Sequence, residues 1–317
     1  MKKVLLATTA LVAFAGAASA DVNLSGSARF GLQWTDNAAI GDPSTTLEKR
    51  VTLNIDMTTE TDSGLELGAR IRLRNNETNL TDVNGAVVYL KSGGLKLSVG
   101  NVCGAIECMP GTYAGTVGLN ANGFHNVVTN VADIPVAGLD GAPLPITTTN
   151  GYWQWAAYSS SGAGSNGVEI EYSAGDFSGM LTYTALNDAS ATPNVLAAHV
   201  AYSFGDWTVA LGIQEGDQPA GVGDKTMLTV GGKLGDFGVG LAYADNNGID
   251  KFTINGSYSF GATTVSAFVS DDSSVAATDN PWGLGVSYDL GGASLVAGYT
   301  NDYAGNKNAS AGIKFKF

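Results

Sequence analysis

Between Leu65 and Arg74 the chain alternates without a break: Leu65, Leu67, Ala69, Ile71 and Leu73 are separated by Glu66, Gly68, Arg70, Arg72 and Arg74. A period of two is the signature of a β-strand with one apolar and one wetted face. Residues 22–34 do the same, setting Val22, Leu24, Phe30, Leu32 and Trp34 against Asn23, Ser25, Arg29 and Gln33. So do residues 47–57, with Lys49 as the exception. The pattern returns near 168–172, 177–183, 196–204, 207–213, 228–234, 237–243, 252–260, 265–269, 282–290 and 295–299, and ends with Ile313, Phe315 and Phe317 around Lys314 and Lys316. Half-buried strands of a soluble sandwich also alternate. Repetition to the last residue, in segments of roughly 9 to 11 residues, is instead what tilted membrane strands require.

The connections fall into two classes. Thr61–Gly64, Ser92–Gly94, Ala174–Asp176, Gly205–Asp206, Gly235–Asp236, Gly261–Ala262 and Gly291–Gly292 are short and carry the Gly or Asp that tight turns want. Longer polar connections alternate with them, near 35–46, 75–84, 101–166, 186–195, 215–225, 245–250, 271–281 and 301–308. Short turns at one end and long loops at the other describe an outer-membrane barrel. Seven tight turns make seven hairpins, and the first and last strands complete the set. The expected fold is therefore all-β, a sixteen-stranded antiparallel transmembrane β-barrel. Residues 152–158 would be a seventeenth strand; an even count leaves them in the long loop. Aromatics flank both classes of connection, Tyr172, Phe177, Tyr202, Phe204, Trp207, Phe237, Tyr258, Phe260 and Tyr288 at the turns and Trp34, Tyr183, Tyr243, Trp282 and Tyr299 at the loops. Two girdles are what two bilayer interfaces favour.

Residues 1–20 read as a cleaved signal peptide: Lys2 and Lys3, an apolar run from Val4 to Gly16, then Ala18-Ser19-Ala20. Residues 21–317 are then the mature barrel. No other apolar run approaches the length of a membrane helix. The formal net charge is -13, and more negative once Lys2 and Lys3 are removed, which argues against a nucleic-acid partner.

Residues 101–166 break the alternation. They hold no Lys or Arg, carry Glu107, Asp133 and Asp140, and contain both cysteines. A loop of this length in a compact domain is functional or wrongly assigned; inside a barrel its natural place is the lumen, as a constriction. Cys103 and Cys108 sit in an exported chain and are expected to pair as a disulfide closing a small ring. A metal pair is the alternative, weakened by the lack of a nearby His. Arg29, Arg50, Arg70, Arg72 and Arg74 lie on three consecutive strands and share the polar parity, so they form one patch on the inner wall. On the lipid face each would cost about 2 to 4 kcal/mol near the midplane. An acidic loop opposite that patch would create a transverse field across the gap. Asp271, Asp272 and Asp279 raise the possibility of bound calcium, but no ligand spacing recommends it; no cofactor or metal site is otherwise expected.

The start Asp21-Val22-Asn23-Leu24-Ser25-Gly26, the segment Thr61-Asp62-Ser63-Gly64-Leu65-Glu66-Leu67-Gly68, the stretch Tyr288-Asp289-Leu290-Gly291-Gly292-Ala293-Ser294 and the ending Gly312-Ile313-Lys314-Phe315-Lys316-Phe317 resemble the general diffusion porins of alphaproteobacteria. The likeness spans nearly the whole mature chain and is weakest across 101–166. It implies a homotrimer in the outer membrane of a Gram-negative bacterium, among lipids and lipopolysaccharide, passing small hydrophilic solutes and ions by passive diffusion. It also implies that the terminal aromatic Phe317 is read by the barrel assembly machinery. Its basic wall cluster matches Arg29, Arg50 and the Arg70 to Arg74 strand, while the loop here is less acidic than the family pattern. The alternative is a substrate-specific channel for a sugar or other solute, for which Tyr152, Trp153 and Trp155 would supply stacking. An enzyme would need a nucleophile beside His125 or His199, and no spacing singles one out.

Overall fold

The structure, a computed structural model, describes residues 20–76, 82–136, 147–151, 166–184, 194–216 and 224–317. Residues 1–19 of the expected leader, Asp140, Tyr152, Trp153 and Trp155 lie outside the described residues.

Sixteen antiparallel staves close on themselves. They are β1 (Asp21–Thr35), β2 (Thr45–Glu60), β3 (Glu66–Asn76), β4 (Val87–Ser92), β5 (Leu95–Asn101), β6 (Asn166–Ala174), β7 (Phe177–Thr184), β8 (Val195–Phe204), β9 (Trp207–Gly216), β10 (Lys225–Leu234), β11 (Phe237–Asn246), β12 (Ile249–Phe260), β13 (Thr263–Asp272), β14 (Trp282–Asp289), β15 (Ala293–Asn301) and β16 (Lys307–Lys316). The bridge Asp82–Val83 extends β4's place beside β3. Each strand pairs with its sequence neighbour, and β16 pairs with β1, matching Ala28 to Phe315 and Arg29 to Lys314. The Gly26 N–H donates to the Phe317 carbonyl at 2.7 Å and the Gly26 carbonyl accepts from the Phe317 N–H at 3.1 Å, so the last residue seals the ring. Closure leaves no edge strand, the condition for β-structure to cross a bilayer.

The seven expected tight turns are all present. Gly175, Gly205, Gly235 and Gly261 hold φ between 57° and 63°, the positive value that two-residue hairpin turns need at their first position. The expected long connection at 245–250 is instead an eighth tight turn. Asn247 and Gly248 both have positive φ, 56° and 87°, and β11 runs directly into β12. An Asn-Gly pair is the strongest short hairpin signal and outweighs the polarity of its neighbours.

The alternation has its expected physical meaning. Leu24, Leu32, Val200, Leu211, Leu284 and many others on one parity stand out from the barrel, about half exposed. An uncovered apolar belt of that extent belongs in lipid, not water. Phe237 and Tyr258 stack across strands with centroids 4.5 Å apart, inside the aromatic girdle near the short turns.

The opposite parity faces inward, and the described part of the long connection, 102–136, packs against it. That segment is less irregular than its composition suggests: it includes a 3-10 turn, Ala121–Gly123, and a small hairpin of Val131–Val136 with Thr147–Gly151. Ala105, Ile106, Met109, Val127 and Val128 are buried against Ala197, Ala201, Ala210, Met227, Ala242 and Ala244 of β8 to β11. Small wall residues let the loop lie close, and water rather than lipid is what this packing displaces.

Candidate functional site

The inner wall is wide, so what can happen in it depends on which part the loop covers. From its first residue the loop is tied to successive strands. Glu169 of β6 accepts from the Cys103 N–H at 3.1 Å, and Thr182 of β7 accepts from the Ala105 N–H at 3.1 Å. His199 of β8 donates from Nδ1 to the Ala105 carbonyl at 2.6 Å, and Thr229 of β10 donates to the Pro110 carbonyl at 2.6 Å. Asn246, Lys251 and Ser270 donate to the carbonyls of Val128, Asn130 and His125. Asp272 accepts from the Ala132 N–H at 2.9 Å. Farther round, Thr300 of β15 donates to the Asn122 carbonyl, Ser310 of β16 accepts from the Leu119 N–H, and Gln33 of β1 accepts from the Asn120 amide. The described loop thus lines β6 to β16 and reaches β1.

Glycines make this possible where the loop comes closest. A Cβ on Gly298 would lie 2.4 Å from the backbone nitrogen of Gly118, and one on Gly285 would lie 2.9 Å from Val117. Gly31 and Gly312, paired across β1 and β16, lie beneath the Leu119 side chain; added Cβ atoms would meet it at 2.7 and 2.8 Å. Any side chain there would push the loop towards the axis.

The strands β1 to β3 carry the arginines, and the register sets them in rows. Lys314, Arg29, Arg50 and Asn76 are successive partners across β16, β1, β2 and β3. Thr52 faces Arg74, Asn54 faces Arg72 and Asp56 faces Arg70. Each guanidinium is steadied sideways by a neighbouring strand: Arg29 by Glu48 at 2.5 Å, Arg50 by Asn76 at 2.5 Å, Arg70 by Asp56 at 2.5 Å, Arg72 by Asn54 at 3.0 Å and Arg74 by Thr52 at 3.3 Å. Lateral bonds of this kind hold long side chains along the wall rather than across the lumen.

A cavity of about 840 Å³ lies between this wall and the loop. Arg29, Arg50, Arg74 and Lys314 line one side of it, and Thr116, Val117 and Gly118 the other. The structure therefore brings three of the five arginines together along one cavity; Arg72 and Arg70 follow on the same face of β3, towards its turn with β2. The loop residues at this cavity are uncharged. Glu107 lies earlier in the loop, accepting from the Tyr113 hydroxyl at 3.3 Å, and burial, reinforced by the Glu107 charge, raises the Tyr113 pKa and keeps the phenol protonated. Asp133 accepts from the Ala276 N–H at 3.3 Å, at the connection after β13. Cys103 and Cys108 are joined as a disulfide, with Cα atoms 6.0 Å apart.

Lys314 is the site residue that the strand-by-strand reading left out. Its alternation with Ile313 was visible, but its place beside Arg29 follows only from closing β16 onto β1. Its Nζ donates to the Gly118 carbonyl at 2.7 Å, joining the basic row to the loop. Phe317 points outward beside Gly26. Of the aspartates considered for calcium, Asp272 is taken up by the Ala132 and Ser274 amides and Asp279 by Asn301. Among the described residues no group of three or more His, Cys, Asp or Glu side chains converges as a metal site.

Residues 7–312 match the family model described as Gram-negative porin. The chain is 30% identical over 315 residues to a porin of Fuscovulum blasticum, covering 94% of this chain and 100% of that protein. It is 29% identical over 330 residues to a porin of Rhodobacter capsulatus, at the same coverage. Among solved structures it is similar to a variant of the Rh. blastica porin, with a TM-score of 0.79 at 26% identity, over 94% of this chain and 100% of that one.

Proposed function

This chain belongs to the Gram-negative porin family, and from that premise we propose how its lumen is used. It is an outer-membrane porin whose barrel carries a water-filled channel. Small hydrophilic solutes and ions diffuse through the gap between the arginine wall of β1 to β3 and the loop beginning at Asn101. The observation that carries this reading is the cavity bounded by Arg29, Arg50, Arg74 and Lys314 on one side and Thr116 to Gly118 on the other. Solutes crossing it exchange bulk water for a wall of fixed donors, which hydrated polar solutes tolerate and apolar ones do not.

Three further elements belong to the proposal. Residues 1–20 are removed on export, leaving Asp21, the first residue of β1, as the mature start. The mature barrels associate as homotrimers among outer-membrane lipids and lipopolysaccharide. Phe317, outward and at the seam, is the assembly signal. The family implies a channel rather than an enzyme, and His199 is used to hold the loop.

Single-channel recording in a planar bilayer tests the reading. Folded mature protein is expected to insert with conductance steps grouped in threes and to show little discrimination among small neutral solutes. A membrane that stays silent with demonstrably folded protein would overturn the diffusion channel.

A further inference from the structure

A second cavity, of about 410 Å³, lies on the other side of the lumen, against the first turn of the loop. Its wall is a single row: Lys91 of β4, Lys96 of β5, Glu171 of β6, Met180 of β7 and His199 of β8 are successive partners across the strands. The turn joining β4 to β5 closes its rim. In outer-membrane barrels short turns mark the periplasmic end. From the loop, the cavity receives Cys108 and Pro110.

The polar groups of the wall are already engaged. Lys96 Nζ lies 2.5 Å from Glu171 and 3.7 Å from Glu169, and the His199 ring holds the Ala105 carbonyl. The reactive group at this cavity is therefore sulfur, and the two ends of the disulfide differ. Cys108 is exposed, whereas Cys103 is only partly so and its Sγ lies 3.7 Å from the Glu107 carboxylate. An incoming thiolate is repelled by that carboxylate and has free access to Cys108. Exposed disulfides are the ones that exchange. The chain around the bond has other supports. The Cys103 N–H donates to Glu169, the Cys108 N–H to the Gly104 carbonyl at 3.0 Å, and the Thr112 hydroxyl to the Met109 carbonyl at 2.8 Å. Opening the bond leaves Cys108 at the cavity.

We infer that Cys108 is a thiolation site, where a small thiol entering from the periplasmic end exchanges into the Cys103–Cys108 disulfide. The thiolate sulfur bonds to Cys108 Sγ, the Cys103–Cys108 bond breaks, and Cys103 leaves as a thiolate that takes a proton from water. One disulfide replaces another, so no outside oxidant or reductant is needed. Reversal requires Cys103 as thiolate, which the neighbouring Glu107 carboxylate disfavours, so the adduct persists. Pockets from about 300 Å³ upwards hold small molecules, and a site inside the barrel shuts out a folded oxidoreductase. The covalent step stands apart from the channel reading. Its consequence rests on that reading: the adduct fills the cavity and narrows the passage beside the loop.

The test treats the folded protein in detergent with reduced glutathione, quenches with acid, and reads intact mass and peptide maps. A gain of one whole glutathione is expected, carried by Cys108, with the circular dichroism of the barrel unchanged. Cys103→Ser leaves Cys108 as the one thiol and Cys108→Ser leaves Cys103. With oxidised glutathione the first should be modified about tenfold faster than the second. In planar bilayers, glutathionylated Cys103→Ser protein has no thiol to expel the adduct and should conduct less than the same variant unmodified. An adduct on Cys103, equal rates at the two cysteines, full reduction with no trapped adduct, or modification confined to urea-unfolded protein overturns the inference. Unchanged current in the modified variant overturns the narrowing. Absence of conductance in unmodified protein counts against the channel reading and leaves the mass result to decide the site.

Discussion

Replacing Ile106 by Ala tests whether the loop is held by packing inside the lumen. Ile106 is fully buried between Met109, Val127 and the alanines of the β8 to β11 wall. The change removes three carbons, each contributing about 0.8 kcal/mol when buried, or about 2.4 kcal/mol before any cavity cost. Measured core truncations of this type span about 2 to 5 kcal/mol. The barrel does not depend on this contact, because each strand's ladder is complete without it. The loss therefore falls on local opening of the loop. Amide hydrogen exchange reads that opening directly. The Ala105 N–H, bonded to Thr182, and the Cys108 N–H, bonded to the Gly104 carbonyl, are the reporters. With opening and closing fast relative to exchange, 2.4 kcal/mol corresponds to about 60-fold faster exchange at both amides. Amides in β12 to β16 should not change. Equal exchange rates in variant and wild type would refute the packing argument, and acceleration throughout the barrel would refute the claim that loop and wall are energetically separate.

Further expectations concern the same loop. His125 is buried beside Lys251, and burial first, then that charge, lowers its pKa to about 4. The folded loop therefore prefers the neutral ring. Its contribution is complete above the ordinary value near 6.5 and is lost as pH falls towards 4, amounting to about 3 kcal/mol. Exchange at the Asn130 N–H, bonded to the Val127 carbonyl, should accelerate across that window and stay flat in His125→Gln. Gly298→Val places a side chain where Gly118 now lies. It should lift the loop from β15 at a cost of about 1 to 3 kcal/mol, and reduced single-channel conductance with an intact barrel would show it. Cys103→Ser removes a short ring worth about 2 kcal/mol in chain entropy. Faster exchange confined to the first turn of the loop is expected, with thermal unfolding of the barrel unchanged.

Strands and turns were legible in the sequence because lipid outside and water inside impose opposite demands on successive residues. Gly205-Asp206 or Gly235-Asp236 between two alternating runs leaves few alternatives. The loop was not legible in the same way. Val102, Ile106, Leu119 and Val127 are buried by contact with a curved wall rather than with a flat sheet or a helix, so no period marks them. The turn at Asn247-Gly248 was readable from its dipeptide and was hidden by polar residues on both sides. The arginine rows were visible from parity on β1 to β3, whereas Lys314 required the ring to be closed first. What lies opposite the arginines depends on the path of the loop, and its glycine seat is recorded on β1 and β14 to β16 rather than in the loop's own composition.

The seam between β1 and β16 has a consequence for how the molecule comes into being. Ala28 pairs with Phe315 and Gly26 with Phe317, so the earliest and latest strands of the barrel are direct neighbours. All other ladders join strands consecutive in the chain, through tight turns or connections short against the whole chain, apart from the pair flanking the long loop. The seam needs contact across almost the whole chain, the step with the largest entropic cost and the slowest expected search. Until it forms, two unpaired edges face outward and invite association with other chains. Sealing is thus the natural checkpoint of maturation, at which an open sheet of hairpins becomes a permanent vessel.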